Sequence, residues 1–366
     1  MENDPPPGYK GPPPLILPRP LPAPQKRGRG WMVLALILAA LLMLSWFGSL
    51  TRYLGFGNSA GRHYVRGLDE VVIEESRAAH KIAVIEVTGI ITSEPWDGSG
   101  LSIVDYIAKQ LKEAAADGDV KAVLLKVNSP GGEVMASDDI NQLISDFEEK
   151  SKKTVVATMG SLAASGGYYV SVPCDWIVAN ELTITGSIGV IMPSYNYRKL
   201  LDKIGVRPDV YKSGKFKDML RGSKADDEIL PEERVMIQGL IDETFARFKT
   251  VVKDGRQRAY TNNKKGRELR QNWEDLADGR ILTGQQAYEN GFVDELGNFD
   301  TAVKRAKSLA GISGAKLVRY EQPFNLTSIF RLLGKTEAPA IKLDLGIDLP
   351  KLQLGRLYFL SATVLH

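Results

Sequence analysis

From residue 81 onward, short runs of apolar and β-branched residues alternate with stretches whose apolar positions recur every three or four residues. Lys81–Thr92 (KIAVIEVTGIIT), Val120–Val127 (VKAVLLKV), Thr154–Met159 (TVVATM) and Trp176–Ala179 (WIVA) read as buried strands. Ser102-Ile103-Val104-Asp105 has the form of a capping box opening an amphipathic helix to about Ala116, which Asp117-Gly118 ends. A second helix is predicted from Val134 to about Lys150. A long one is predicted near Pro231 to Asp254, with Pro231 suited to the first turn, and another near Phe299 to Ala310. Strands and helices alternating at this spacing predict an α/β fold with a largely parallel sheet. No internal repeat is visible.

The first eighty residues have a different pattern. Residues 1–30 are rich in proline and glycine and cannot bury a core, so an extended tail is expected. Trp31 to Leu50 (WMVLALILAALLMLSWFGSL) carries no charge and is long enough to cross a bilayer of roughly 30 Å as a helix. A cleaved signal peptide would end in small residues, and Ser45-Trp46-Phe47-Gly48 offers no such site. The expectation is an uncleaved anchor. Lys26, Arg27 and Arg29 crowd its N-terminal side, which places the N-terminus in the cytoplasm and everything after about residue 50 outside it, in the periplasm of a two-membrane bacterium. The expected organisation is a tail (1–30), an anchor (31–50), a tether (51–80), one catalytic domain (81–321) and an extension (322–366) with no assigned role.

Composition narrows the chemistry. The 366 residues carry a net charge of +3 with both signs interspersed, which gives no case for nucleic-acid binding. The single cysteine, Cys174, excludes an intrachain disulfide and a multi-cysteine metal site. No metal or other cofactor is expected. The three histidines, His63, His80 and His366, all lie away from the glycine-rich motifs, which argues against a Ser-His-Asp triad.

Two of those motifs follow predicted strands. Asn128-Ser129-Pro130-Gly131-Gly132 leaves one strand, and its glycines allow backbone amides to face a bound oxygen. Met159 to Tyr169 (MGSLAASGGYY) leaves the next, with Ser165 at a strand-to-helix corner where a hydroxyl can be exposed to a ligand. Alone, a Ser-Gly-Gly is more often an ordinary turn; two glycine corners on neighbouring strand ends can converge on one carbonyl oxygen. A serine nucleophile needs a base. Without a histidine, that base is a lysine kept neutral by desolvation, and Lys212, Lys215, Lys217 and Lys224 are all available. The chemistry alone does not choose among them.

NSPGG, GSLAASGGYYV, TGSIGV, YKSGKFKD and GRILTGQQAYENGFVDELG, in that order between about Ile82 and Ala310, resemble the signal peptide peptidase A family of membrane-anchored serine-lysine peptidases (S49). The resemblance implies a ClpP/crotonase-like fold of repeated strand-strand-helix units after one transmembrane helix. It implies Ser165 as nucleophile, Lys217 as general base, Ser187 as the residue that orients the lysine amine, and Gly132 and Gly166 as oxyanion-hole donors. It further implies a homo-oligomeric ring or dome in which neighbouring subunits supply the serine and lysine of each site. The implied substrates are cleaved signal peptides and other apolar peptides in or near the membrane.

Two other readings compete. A crotonase-type fold also suits acyl-CoA chemistry, but the anchor places this domain where coenzyme A is scarce, and Ser165 and Lys217 would then be idle. A non-catalytic scaffold would have no need of Ser165, Lys217 and Ser187 together.

Overall fold

The computed structural model describes residues 34–43, 68–95, 100–263, 266–322 and 355–361. It divides the chain into two compact units, Met1–Tyr64 and Val65–His366. In the first, residues 34–43 form helix α1. The rest of the expected 31–50 span, the tail at 1–30 and the segment 51–67 lie outside the described residues. Among the described residues, no helix is long and apolar enough to cross a membrane.

The second unit is an α/β sandwich, as the alternation of patterns predicts. Its strands are β1 (Asp69–Glu74), β2 (Lys81–Thr88), β3 (Val120–Ser129), β4 (Gly131–Glu133), β5 (Thr154–Ala163), β6 (Trp176–Ala179), β7 (Ile184–Gly186), β8 (Ile281–Thr283), β9 (Glu295–Leu296), β10 (Lys316–Glu321) and β11 (Tyr358–Leu360). Its helices are α2 (Ile103–Ala116), α3 (Val134–Ser151), α4 (Gly166–Ser171), α5 (Arg198–Lys203), α6 (Pro231–Asn263), α7 (Gly284–Glu289) and α8 (Phe299–Leu309). The main sheet runs β1-β10-β2-β3-β5-β6-β9; β1 is antiparallel to β10, and every pairing from β10 to β9 is parallel.

Because successive strand residues point to opposite faces, β2, β3 and β5 feed two cores. Ala83, Ile85, Val123, Leu125, Val155 and Ala157 belong to one, with residues of α2, α3 and α4. Ile82, Val84, Ala122, Leu124 and Val156 belong to the other, against Ala302, Val303 and Ala306 of α8. Ser102 caps α2 as read, accepting from the Asp105 amide while the Asp105 carboxylate accepts from the Ser102 amide.

Three features depart from the sequence reading. The tether segment contains β1, which extends the sheet by one edge strand. Helix α6 runs on to Asn263 past Gly255. A Cβ at Gly255 would stand 2.4 Å from Val172 Cγ1, so the glycine serves close packing against the end of α4 rather than a helix stop. The C-terminal extension supplies β11, which pairs antiparallel with β4.

A buried ion pair ties α6 to the residue that precedes β9. Arg256 of α6 has no exposed side-chain surface and donates to the Asp294 carboxylate, which also accepts from the amides of Ile177 and Arg267. Burial would lower the arginine's pKa, but Asp294 outweighs it and keeps the guanidinium charged.

Candidate active site

Strands β3 and β5 are parallel neighbours, so the segments leaving their C-terminal ends lie side by side. This is where an open parallel sheet binds ligands. Gly131 leaves β3 with φ +100°, and a Cβ there would stand 2.0 Å from the Phe359 carbonyl oxygen and 2.5 Å from the Gly166 amide nitrogen. A Cβ on Gly132 would stand 1.9 Å from the Ile91 carbonyl oxygen, and one on Gly166 would stand 3.1 Å from the Gly132 nitrogen. Only glycine fits at 131 and 132, and the Gly132 and Gly166 amides border one small space.

Ser129 clamps both corners. Its hydroxyl donates to the Gly89 carbonyl at 2.6 Å and accepts from the Gly131 amide at 3.1 Å. Its carbonyl accepts from the Ala164 amide at 3.1 Å. The sequence reading passed over this residue, although a serine beside Pro-Gly-Gly is a signal for such a turn.

Ser165 sits between β5 and α4 with φ 54° and ψ −115°, outside the regions a non-glycine residue prefers. Such strain costs on the order of 1–3 kcal/mol and persists where the surroundings enforce it. Here its amide donates to the Gly186 carbonyl at 2.8 Å and its carbonyl accepts from the Tyr169 amide at 2.8 Å. The side chain is buried, and the hydroxyl has no hydrogen-bond partner among the described residues. A buried, unbonded hydroxyl on a strained backbone is a marker of a functional position.

Ser187 follows Gly186 directly and also has positive φ, 51°. It is buried, and its amide donates to the Arg280 carbonyl at 2.8 Å. The β5–β7 pairing and the Thr185 hydroxyl's bond to the Ala163 carbonyl (2.7 Å) bring this turn beside the Ser165 corner. The structure therefore gathers Ser165, Ser187, Gly132 and Gly166.

The four candidate lysines differ in their partners. Lys212 pairs with Asp218 at 2.8 Å, and Lys215 pairs with Glu232 at 2.9 Å. Lys224 is buried between Glu233 at 2.6 Å and Asp218 at 3.1 Å. Burial would lower the Lys224 pKa, but those two carboxylates outweigh it and hold the ammonium above its ordinary value. A lysine so paired is a poor neutral base. The Lys212 hydrogen bond, joined by Lys224, pulls the Asp218 carboxyl down to about 2. Lys217 has no ion-pair partner among the described residues. It is exposed, beside Ser194, Arg221 and Gly355 in a shallow cavity. It is not bonded to the Ser165 hydroxyl of its own chain.

The slot beside the two glycine corners is filled by the chain's own β11. Phe359 registers opposite Gly132, and Leu360 opposite Gly131. Ser361 donates to the Pro130 carbonyl at 2.9 Å. On the other edge Tyr358 and Ile191 exchange backbone bonds of 2.9 and 3.0 Å. Arg356 pairs with Glu133 at 2.5 Å, and Glu133 also accepts from the Ser93 amide and hydroxyl at 3.0 and 2.6 Å. Burial would raise the Glu133 pKa, but Ser93 and Arg356 together hold it below the ordinary carboxylate value. Chemically, the site offers a serine hydroxyl, two backbone amides suited to a carbonyl oxygen, and a slot that takes an extended peptide.

The model of peptidase family S49 matches residues 148–313. A Synechocystis sp. chain named as a protease, slr0021, is 42% identical over 65% of this chain and 77% of its own length. The chain belongs to peptidase family S49. An Enterococcus faecium chain named for signal peptide peptidase SppA is 37% identical over 69% of this chain and 71% of that one. A mutant form of the 1510-N membrane-bound stomatin-specific protease is 16% identical, covers 63% of this chain and 86% of that structure, and superposes with a TM-score of 0.39. As an S49 member the chain is a serine peptidase.

Proposed function

We propose that the chain is a membrane-anchored endopeptidase working through a Ser165–Lys217 dyad, with the lysine supplied by a second copy. The carrying observation is the Ser165 hydroxyl, buried and unbonded at a strained corner beside the amides of Gly132 and Gly166. In this reading the neutral Lys217 amine takes the Ser165 proton as the oxygen attacks a peptide carbonyl. The Gly132 and Gly166 amides stabilise the oxyanion. Lys217 then gives the proton to the leaving amine, and water, deprotonated by the same amine, releases the acyl group from Ser165. Ser187 holds the lysine amine in line.

That Lys217 has no carboxylate partner among the described residues supports its choice as base, since an ion-paired ammonium, as at Lys212, Lys215 and Lys224, resists deprotonation. Its exposure supports delivery to another subunit. Tyr195, Leu200, Ile204 and Tyr211, in the segment that leads to it, are also exposed, and such a patch suits burial against a second copy in a ring or dome. The uncharged segment 31–50 is the proposed anchor, holding the catalytic unit on the outer side of the cytoplasmic membrane. Signal-peptide remnants and other apolar peptides are the proposed substrates. Hydrolysis of an apolar peptide by the detergent-solubilised chain, lost in Ser165→Ala, is the expected result; equal turnover in Ser165→Ala would refute the reading.

A further inference from the structure

Strands β2 and β10 diverge before either ends. Their parallel pairing stops at Val318 opposite Ala83, and residues 84–88 of β2 are paired to β3 alone among the described residues. Odd-numbered positions of this stretch bond toward β3, as the Lys81 and Gly89 amides do to the carbonyls of Asp119 and Asn128. Even-numbered positions face β10, as the His80 carbonyl does in accepting from the Lys316 amide. The backbone groups of Glu86 and Thr88 therefore face the side that β10 has left. A cavity of about 650 Å³ opens there, bordered also by Ile90, Ile103, Gln110 and Arg319.

The polar atoms of this cavity are unmatched. Gln110 is only 2% exposed; its amide donates to the Tyr320 carbonyl at 2.9 Å, while its Oε1 has no partner among the described residues. The buried Nε of Arg319 lacks one as well. Such groups, beside a strand edge with spare donors and acceptors, suit a ligand that itself alternates N–H and C=O. An acyl chain would cover Ile90 and Ile103 but leave those groups dry and unpaired. The cavity wall is continuous with the glycine corner: between Ile90 and Thr92, which both border the cavity, the Ile91 amide donates to the Gly131 carbonyl at 2.9 Å, and its carbonyl accepts from the Glu133 amide at 2.8 Å.

We propose that this cavity is a second peptide-binding site, which takes an extended apolar stretch of the substrate as an added strand along β2, away from the bond that is cut. The inference goes beyond the peptidase reading and rests on it for the class of ligand.

The test uses the full chain in detergent carrying Ser165→Ala, and a capped fluorescent peptide of alternating valine and threonine with a lysine at each end and a benzophenone side chain at its centre. Saturable binding is expected, with photo-crosslinks at residues 86–92, 103–110 or 319–321. N-methylation of alternate peptide nitrogens, in at least one of the two registers, is expected to weaken binding at least about tenfold. Thr88→Pro should weaken the unmethylated peptide similarly, because that amide faces the cavity and proline removes no bond to β3. Its melting temperature reports whether the fold is kept, and Ile90→Trp supplies the comparison if it is not. Crosslinks confined to residues 131–133 overturn the second site, as does binding that N-methylation in neither register weakens or that decanoate displaces equally from both forms. Because binding is read on a chain that cannot cleave, an inactive parent chain refutes the dyad but not this site, whereas a chain that cleaves peptides without these crosslinks refutes this site but not the dyad.

Discussion

The Ser165 amide donates to the Gly186 carbonyl at 2.8 Å, which ties the strained serine corner to the residue preceding Ser187. Both serines have positive φ, near 54° and 51°, and both are buried. Two strained turns locked to each other hold their hydroxyls in fixed positions before any substrate arrives, as a preorganised site requires. Removing the Ser187 hydroxyl is therefore expected to spare the fold and reduce turnover. Ser187→Ala should lower kcat on the order of 10- to 100-fold with KM little changed, read by steady-state hydrolysis of an apolar peptide. Equal loss in KM alone would assign Ser187 to binding.

Gly132→Ala should cost more. Its Cβ would be driven into the Ile91 backbone, displacing the amide that borders the small space beside Gly166. A lost amide donor of this kind lowers kcat on the order of 100- to 1000-fold. Stopped-flow acylation rates would locate the loss in bond-making rather than release.

Asp218 lies between Lys212 and Lys224, and its carboxyl is drawn down to about 2. A carboxylate whose folded pKa lies below the ordinary value near 3.8 adds stability that is complete above that value. The stability is lost as pH falls from there toward about 2. Asp218→Asn is thus expected to destabilise the chain at pH 7, with the gap to the parent closing below about pH 3. Urea unfolding midpoints at pH 7, 4 and 3 give the comparison.

Arg256 and Asp294 form an ion pair whose two side chains are buried. Removing one partner strands the other, at a cost of about 3–5 kcal/mol. Arg256→Met is expected to lower stability by this order in chemical denaturation, whereas Arg280→Met, at an exposed pair with Asp278, should change it by less than about 1 kcal/mol.

The tail also has a functional consequence. Because Arg356 reaches Glu133 from the strand that fills the slot, Arg356→Ala should loosen that strand and raise hydrolysis of an added peptide several-fold. A fall in activity, with assembly unchanged, would mean that the tail supports the site instead of occupying it.

The parts of this picture that were legible in the sequence are those written by local pattern. Val120–Val127 and Thr154–Met159 are continuous apolar runs, and each leads into a glycine corner, so neighbouring strand ends and the serine turn could be placed without coordinates. The slot could not. Strand β11 is three residues long and finds β4 more than 220 positions away, and nothing local in a stretch of scattered Pro and Gly marks it. Which carboxylates fold back on Lys212, Lys215 and Lys224 is likewise a matter of tertiary contact that no local pattern carries. The helix read as ending near Asp254 runs on to Asn263, because Gly255 is fitted to Val172 at the end of α4, a contact that no local pattern shows.

The central claim is that Ser165 of one copy and Lys217 of another make one site. It is tested most directly by preparing Ser165→Ala and Lys217→Ala chains separately, co-assembling them, and measuring peptide hydrolysis. Each variant alone is expected to lose at least about 1000-fold in turnover, and the mixed assembly to recover a substantial fraction of parental activity. A mixture as inactive as its components, with assembly intact, would contradict a shared site, and near-parental turnover in Lys217→Ala alone would contradict the dyad.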